Sequence, residues 1–136
     1  MPRMRKAGLV NSSRTEDYLR AVLHLRAQGR VTLTVLARRL GVSVASAHEM
    51  VARLQQAGLV TYSRAEGVQL TPEGSRVAFG KERRYRLCQR FLQDVLGLDP
   101  QTAEREAVRF EQGMTQVVEQ QIIRLFAHAR ASGAGG

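Results

Sequence analysis

Between Val31 and Thr71 the chain reads VTLTVLARRLGVSVASAHEMVARLQQAGLVTYSRAEGVQLT, and the punctuation in this stretch leaves few folds open. Thr32 stands where a helix N-cap is wanted and Gly41 where a left-handed C′ residue stops the helix, so Leu33, Leu36, Ala37 and Leu40 share one face of a short helix. Ser43 caps the next helix, in which Ala47, Met50, Val51 and Leu54 recur at i, i+3, i+4 and i+7 before Gly58 ends it. Two short β-prone runs follow, 59–63 and 68–71, joined by the charged turn Arg64-Ala65-Glu66-Gly67. Helix, tight turn, helix and hairpin in this order predict a winged helix-turn-helix, a unit that offers its second helix to the major groove of DNA.

The same punctuation continues on both sides. Ser13 followed by Glu16 reads as a capping box for a first helix, with Tyr18, Leu19, Val22, Leu23 and Leu25 on its apolar side and Gly29 as its stop. Thr71, Pro72 and Glu73 supply an N-cap, an N1 proline and a first-turn acid, and launch a long fourth helix expected to run to Leu96. After Gly97, Asp99 and Pro100 start a fifth helix reaching about Gln112. A sixth is expected from Thr115 to about Ala131, with Val117, Val118, Ile122, Leu125 and Phe126 as its apolar side. The expected fold is mainly α, six helices and one β-hairpin, with a winged helix-turn-helix domain at 11–71, a helical domain at 72–131, and flexible ends at 1–10 and 132–136.

Composition narrows the function classes. A chain of 136 residues that is 43% hydrophobic can build an ordinary core, and a net charge of +9 with a pI near 11.1 points to a polyanionic partner, double-stranded DNA first, or else to a merely basic surface. All of the 21 basic residues except Lys6 and Lys81 are arginine, which suits forked phosphate contacts and is equally what genome base composition would give. A single cysteine, Cys88, excludes an internal disulfide framework and a Cys-based zinc site, and suits a reducing cytoplasm. Its neighbours Leu87 and Phe91 make it read as packing, while Arg84, Arg86 and Arg90 keep a redox role open. No apolar run approaches the ~18 residues of a membrane span, and the N-terminus lacks a signal-peptide core, so a cytoplasmic protein is expected. His24, His48 and His128 are too scattered to suggest a ligand cluster. With no Gly-rich phosphate loop, no paired metal-binding histidines and no nucleophile elbow, the chain is not expected to be an enzyme.

Candidate DNA contacts follow from the outward face of the third helix. Ser43 and Ser46 can donate to phosphate or to a base edge, Ala45 can touch a thymine methyl, and His48 can reach a purine acceptor. Glu49 either accepts from a cytosine amino group or pairs with Arg53 one turn on. Arg38, Arg39, Arg53 and Arg64 are expected backbone clamps, and Thr32 lies at the helix start beside them.

Five blocks, in order, carry a resemblance: SRTEDYLRAVLHL from Ser13, the helix-turn-helix with its wing, the TPEG turn from Thr71, RYRLCQRFLQDVLGLD from Arg84, and EAVRFEQGMT from Glu106. Together they resemble the DtxR/MntR family of metal-responsive repressors across roughly residues 11–130, and within it the shorter, manganese-type branch without an SH3-like third domain. The resemblance implies a homodimer built through the helices after the wing, carrying two winged helices to a palindromic operator. A short pair of C-terminal helices with an apolar face also asks for a partner on its own account.

The family's ligand positions are altered. Asp17 keeps the acid of the first helix, but the manganese branch's second acid is Arg20 here. The histidine opening the fourth block's counterpart is Tyr85, and the iron-branch acid four residues on is Gln89. In the last block the Cys or Glu ligand is Val108, the second acid is kept as Glu111, and the histidine is Gln112; an iron-branch histidine a turn earlier is Glu104. Asp17 and Glu111 remain clearly ligand-like, with Glu104 and Gln112 as weaker additions, and two carboxylates alone make no selective first-row site. From this, no cofactor is expected, with Mn2+ or Fe2+ acting through the reduced carboxylate set as the alternative. Either Arg20 bridges Asp17 to Glu111 in place of metal, or Arg20 faces solvent and Tyr85, Val108 and Phe110 fill the old site as core. The expected function is operator binding by a homodimer independently of metal. The alternatives are a metal-responsive repressor and a protein-interaction or non-specific DNA-binding module.

Overall fold

The computed structural model describes residues 13–133, with side chains described to Arg130; the expectations for 1–10 and for the end of the tail lie outside the described residues. The elements are α1 (Ser13–Arg26), α2 (Leu33–Leu40), α3 (Val44–Gln56), β1 (Val60–Ser63), β2 (Gly67–Leu70), α4 (Pro72–Asp94), α5 (Pro100–Gly113) and α6 (Gln116–Gly133). Six helices and one two-stranded antiparallel hairpin are thus present among the described residues. They group into two compact units, divided between Lys81 and Glu82 within α4.

The first unit is organised by the caps. Thr32 accepts the Val35 amide at the start of α2, Ser43 accepts the Ser46 amide at the start of α3, and Gly41 takes φ 69° between them, which only a residue without Cβ adopts cheaply. The tight turn so made sets Leu36 and Ala37 of α2 beside Ala47, Met50, Val51 and Leu54 of α3 in one core with Tyr18, Leu19, Val22 and Leu25 of α1. Ser13 lies inside α1 as described rather than at its N-cap, so it does not act as the capping-box residue.

The hairpin pairs Val60 with Leu70, Thr61 with Gln69, Tyr62 with Val68 and Ser63 with Gly67. Val60 and Val68 turn into the core, and the backbone at Val31 runs alongside β2, accepting the Val68 amide at 2.8 Å. Thr71 then ties the hairpin to α4. Its hydroxyl donates to the Gly58 carbonyl at 2.7 Å and accepts the Gly74 amide at 3.0 Å, while its own amide reaches the Leu59 carbonyl at 3.1 Å. Gly74 is required by this closeness: a Cβ there would collide with the Leu59 carbonyl oxygen.

In the second unit Tyr85, Cys88 and Leu92 of α4 pack with Ala103 and Ala107 of α5, joined by Leu98, Phe110 and Met114. The small alanines let the two helices approach closely. The fourth helix ends at Asp94, two residues before the expected Leu96, because Gly97 takes φ 75° and lets the Leu98 amide turn back to the Leu92 carbonyl at 3.0 Å. Asp99 accepts the Thr102 amide and hydroxyl as the N-cap of α5, which runs one residue past the expected Gln112. Of the expected apolar side of α6, Ile122 and Phe126 are buried, whereas Val117, Val118 and Leu125 are exposed. Cys88 is fully buried, its thiol 3.7 Å from the Met114 sulfur, which is the packing role.

Candidate nucleic-acid interface

The helix-turn-helix presents one face of α3 to solvent. Ala45, Ser46, His48, Glu49 and Arg53 are all exposed, while the stripe Ala47, Met50, Val51 and Leu54 anchors the opposite face. Ser43 is exposed as well, but its hydroxyl is committed to the cap: it accepts the Ser46 amide and donates to the Ser46 hydroxyl at 3.0 Å. That pair fixes the first turn of the helix and leaves the Ser46 oxygen pre-oriented. Thr32 is half-buried, and its hydroxyl is likewise occupied in capping.

The cations divide into anchored and unanchored. Arg39 donates through Nη2 to His24 Nδ1 at 3.3 Å, tying α2 to α1, whereas Arg38 and Arg53 are exposed. An ion pair between Glu49 and Arg53 is not formed among the described residues. Exposed pairs at this spacing are worth only about 0.3–0.5 kcal/mol, too little to hold two long side chains together against their own entropy. The Glu49 carboxylate therefore faces outward from the centre of the helix. Arg64 lies exposed in the wing turn, and below it the Arg30 guanidinium donates to the carbonyls of Arg64 and Ala65, both at 3.3 Å. Sequence reading passed over Arg30, which stands between two helices where no periodicity singles it out.

The positions that the family resemblance suggested as ligands are as well defined. In the first unit Asp17 Oδ1 lies 3.6 Å from the buried Lys81 ammonium, and Arg20 is half-buried. In the second unit Glu111 is 4% exposed and its Oε2 accepts both Nε and Nη2 of Arg84 at 3.1 Å, a forked charge-assisted contact. Tyr85 is buried and its hydroxyl donates to the Glu104 carbonyl at 3.1 Å. Gln89 is half-buried, and the Glu104 side chain, Val108 and Gln112 are exposed. Of the three side chains expected to fill the old site, Tyr85 is buried and Phe110 packs against the core, but Val108 is 46% exposed. Both of these carboxylates hold protein cations, and no group of three or more His, Cys, Asp or Glu side chains is gathered among the described residues.

Winged helix-turn-helix followed by a three-helix unit defines the class as a DNA-binding regulator fold. Two family models match it in tandem: the iron dependent repressor N-terminal DNA binding domain over residues 11–68, and the iron dependent repressor metal binding and dimerisation domain over residues 71–135. The chain belongs to the DtxR/MntR family of iron- and manganese-dependent repressors. It is 35% identical over 122 residues to the diphtheria toxin repressor of Corynebacterium glutamicum, a match covering 89% of this chain and 54% of that protein. To the iron-dependent repressor IdeR of Mycobacterium tuberculosis it is 31% identical, covering 89% and 53%. Among solved structures it resembles a manganese-dependent transcriptional repressor in complex with manganese, with a TM-score of 0.66 and 32% identity over 86% of this chain and 51% of that one. The T. acidophilum IdeR gives a TM-score of 0.74 at 27% identity, covering 86% and 55%. The chain spans about half the length of the curated relatives it matches.

These matches correct the expectation that no cofactor is involved. The residues after the wing are recognised as a metal-binding domain, and named relatives are iron- or manganese-dependent. Single substitutions do not decide the matter, because the domain match rests on the whole of residues 71–135.

Proposed function

We propose that this chain is a transcriptional repressor that binds a palindromic operator as a homodimer, and that its response to divalent metal is weakened relative to its relatives. The observation that carries the DNA-binding reading is the α3 face: small polar groups and one imidazole exposed over a rigid apolar stripe, with Arg38, Arg53 and Arg64 exposed around it. In this reading Ser46, Ala45, His48 and Glu49 meet base edges, Arg38, Arg53 and Arg64 hold phosphates, Arg39 does so from its anchor on His24, and the capping hydroxyls of Thr32 and Ser43 set the helix starts. In this reading the first unit, which ends at Lys81, is the reading head, and the second supplies the dimerising helices.

Dimerisation is supported by the apolar side chains that the second unit leaves in water. Val95, Leu96, Val108, Val117, Val118, Ile123 and Leu125 are all between 41% and 72% exposed, and an open groove of about 500 Å³ is lined by Leu92, Leu98, Phe110, Thr102, Glu106 and Arg109. That density of exposed aliphatic groups on so small a unit is what a second copy covers. A weakened metal response is supported by the Arg84–Glu111 and Lys81–Asp17 pairs, since any cation reaching either carboxylate must first displace a tethered one. No helix among the described residues is long and apolar enough to cross a membrane.

Footprinting on the duplex upstream of the protein's own coding region tests the reading. Two-fold symmetric protection that survives excess non-specific duplex is expected. Equal affinity for any duplex, collapsing as salt rises, would overturn it in favour of a non-specific DNA-binding module.

A further inference from the structure

The wing turn is held from below by a residue outside both the helix-turn-helix and the hairpin. Arg30 Nη1 donates to the carbonyls of Arg64 and Ala65 at 3.3 Å, and its stem passes so close to the start of β2 that a Cβ on Gly67 would lie 2.9 Å from Arg30 Cγ. Gly67 itself takes φ 74°. The next residue, Val31, is buried and accepts the Val68 amide, so the Arg30-Val31 segment forms a short third edge to the hairpin. At the tip the Glu66 amide donates to the Ser63 hydroxyl at 3.1 Å, closing the turn from the other side.

We propose that Arg30 is a positioning residue for DNA binding: it spends its guanidinium on the wing carbonyls and thereby holds the Arg64 side chain where it meets the DNA backbone. The proposal rests on the operator-binding reading above. A two-residue extension of an isolated hairpin is loose, because two strands alone are marginal in water. Two wing carbonyls aimed at one cation remove much of that freedom before DNA arrives, so less ordering is left to be done on binding. The charge of Arg30 is directed at the wing carbonyls at the surface and is not counted among the phosphate contacts.

The experiment is a double-mutant cycle on the full chain, with the operator duplex found by footprinting, at two salt concentrations. Arg30→Ala is expected to weaken binding roughly five-fold, the effect of about one ordinary hydrogen bond, because the contacts it removes are exposed. In an Arg64→Ala background the same change is expected to cost less than about two-fold, because there is no side chain left to position. Arg30→Met, which keeps an unbranched stem and removes the donors to both carbonyls, is expected to behave like Arg30→Ala. Amide exchange at 64–66 without DNA should quicken in both Arg30 variants while exchange in the α3 core does not change. Losses that multiply across the cycle, with a salt slope falling by about 0.9 on removing Arg30 alone, would overturn the proposal and make Arg30 a phosphate contact. Wild-type affinity in Arg30→Met, or wing exchange unchanged in both variants, would overturn it too. Should the wild-type protein bind no duplex selectively, the operator reading fails, and the exchange data still decide whether Arg30 braces the wing.

Discussion

Glu111 is a buried carboxylate whose charge is met from another helix. A carboxylate 4% exposed needs a cation, and Arg84 supplies it through two contacts of 3.1 Å. Because the Arg84 side chain is itself about one-third exposed (33%), Arg84→Ala should cost about 2 kcal/mol, below the range for fully enclosed pairs, measured by urea unfolding. Glu111→Gln should cost less, since it removes the buried charge along with the pair. Asp99 gives the pH prediction. The Thr102 hydroxyl and amide hold its carboxyl below the usual carboxylate range, so the stability it contributes is present above the unfolded-state value and is lost as pH falls through the lower folded value. Asp99→Asn keeps a cap and should remove that acid-side dependence from the thermal unfolding profile. The caps at Thr32, Ser43 and Asp99 were legible in the sequence because each is a local event spanning three residues. The cations on Asp17 and Glu111 were not, because Lys81 and Arg84 approach from a different helix and nothing in spacing announces it.

At the scale of elements, periodicity found the helices and glycine found their ends, with errors where backbone geometry decides. The expected extension of α4 to Leu96 failed because the left-handed Gly97 lets the Leu98 amide reach back to Leu92. Gly74 was read only as part of a turn motif, yet it is where α4 touches the hairpin. Gly74→Ala is expected to destabilise the first unit markedly despite the better helix propensity of alanine, because its Cβ would have to push the Leu59 carbonyl aside. Leu54→Ala, in the anchoring stripe of α3, should cost about 2–5 kcal/mol and blunt operator selectivity through loss of helix placement. On the opposite face, His48→Ala is expected to cost about 1–3 kcal/mol on the operator and little on random duplex, whereas Arg53→Ala should weaken both and lower the salt slope by about 0.9. Competition binding with the two duplexes separates these cases. The outward face of α3 was legible because a buried stripe fixes its complement; which hydroxyls are already spent on capping was visible only in the structure.

Across the whole molecule the work is divided between two units. The first carries the candidate reading face, and the second carries most of the exposed aliphatic groups. Both were legible as fold, since tandem blocks in the right order constrain architecture more than any single site does. The metal question was not, because it turns on which cation sits at two carboxylates, and substitutions at neighbouring positions do not settle that for a domain recognised as metal-binding. The most direct measurement is the affinity of the purified protein for its operator duplex at fixed salt, once in chelator and once with manganese or iron(II). Selective binding in chelator is predicted, with a rise of less than tenfold on adding metal, since Arg84 and Lys81 already hold Glu111 and Asp17. A rise of tenfold or more, about 1.4 kcal/mol of coupling, would contradict this.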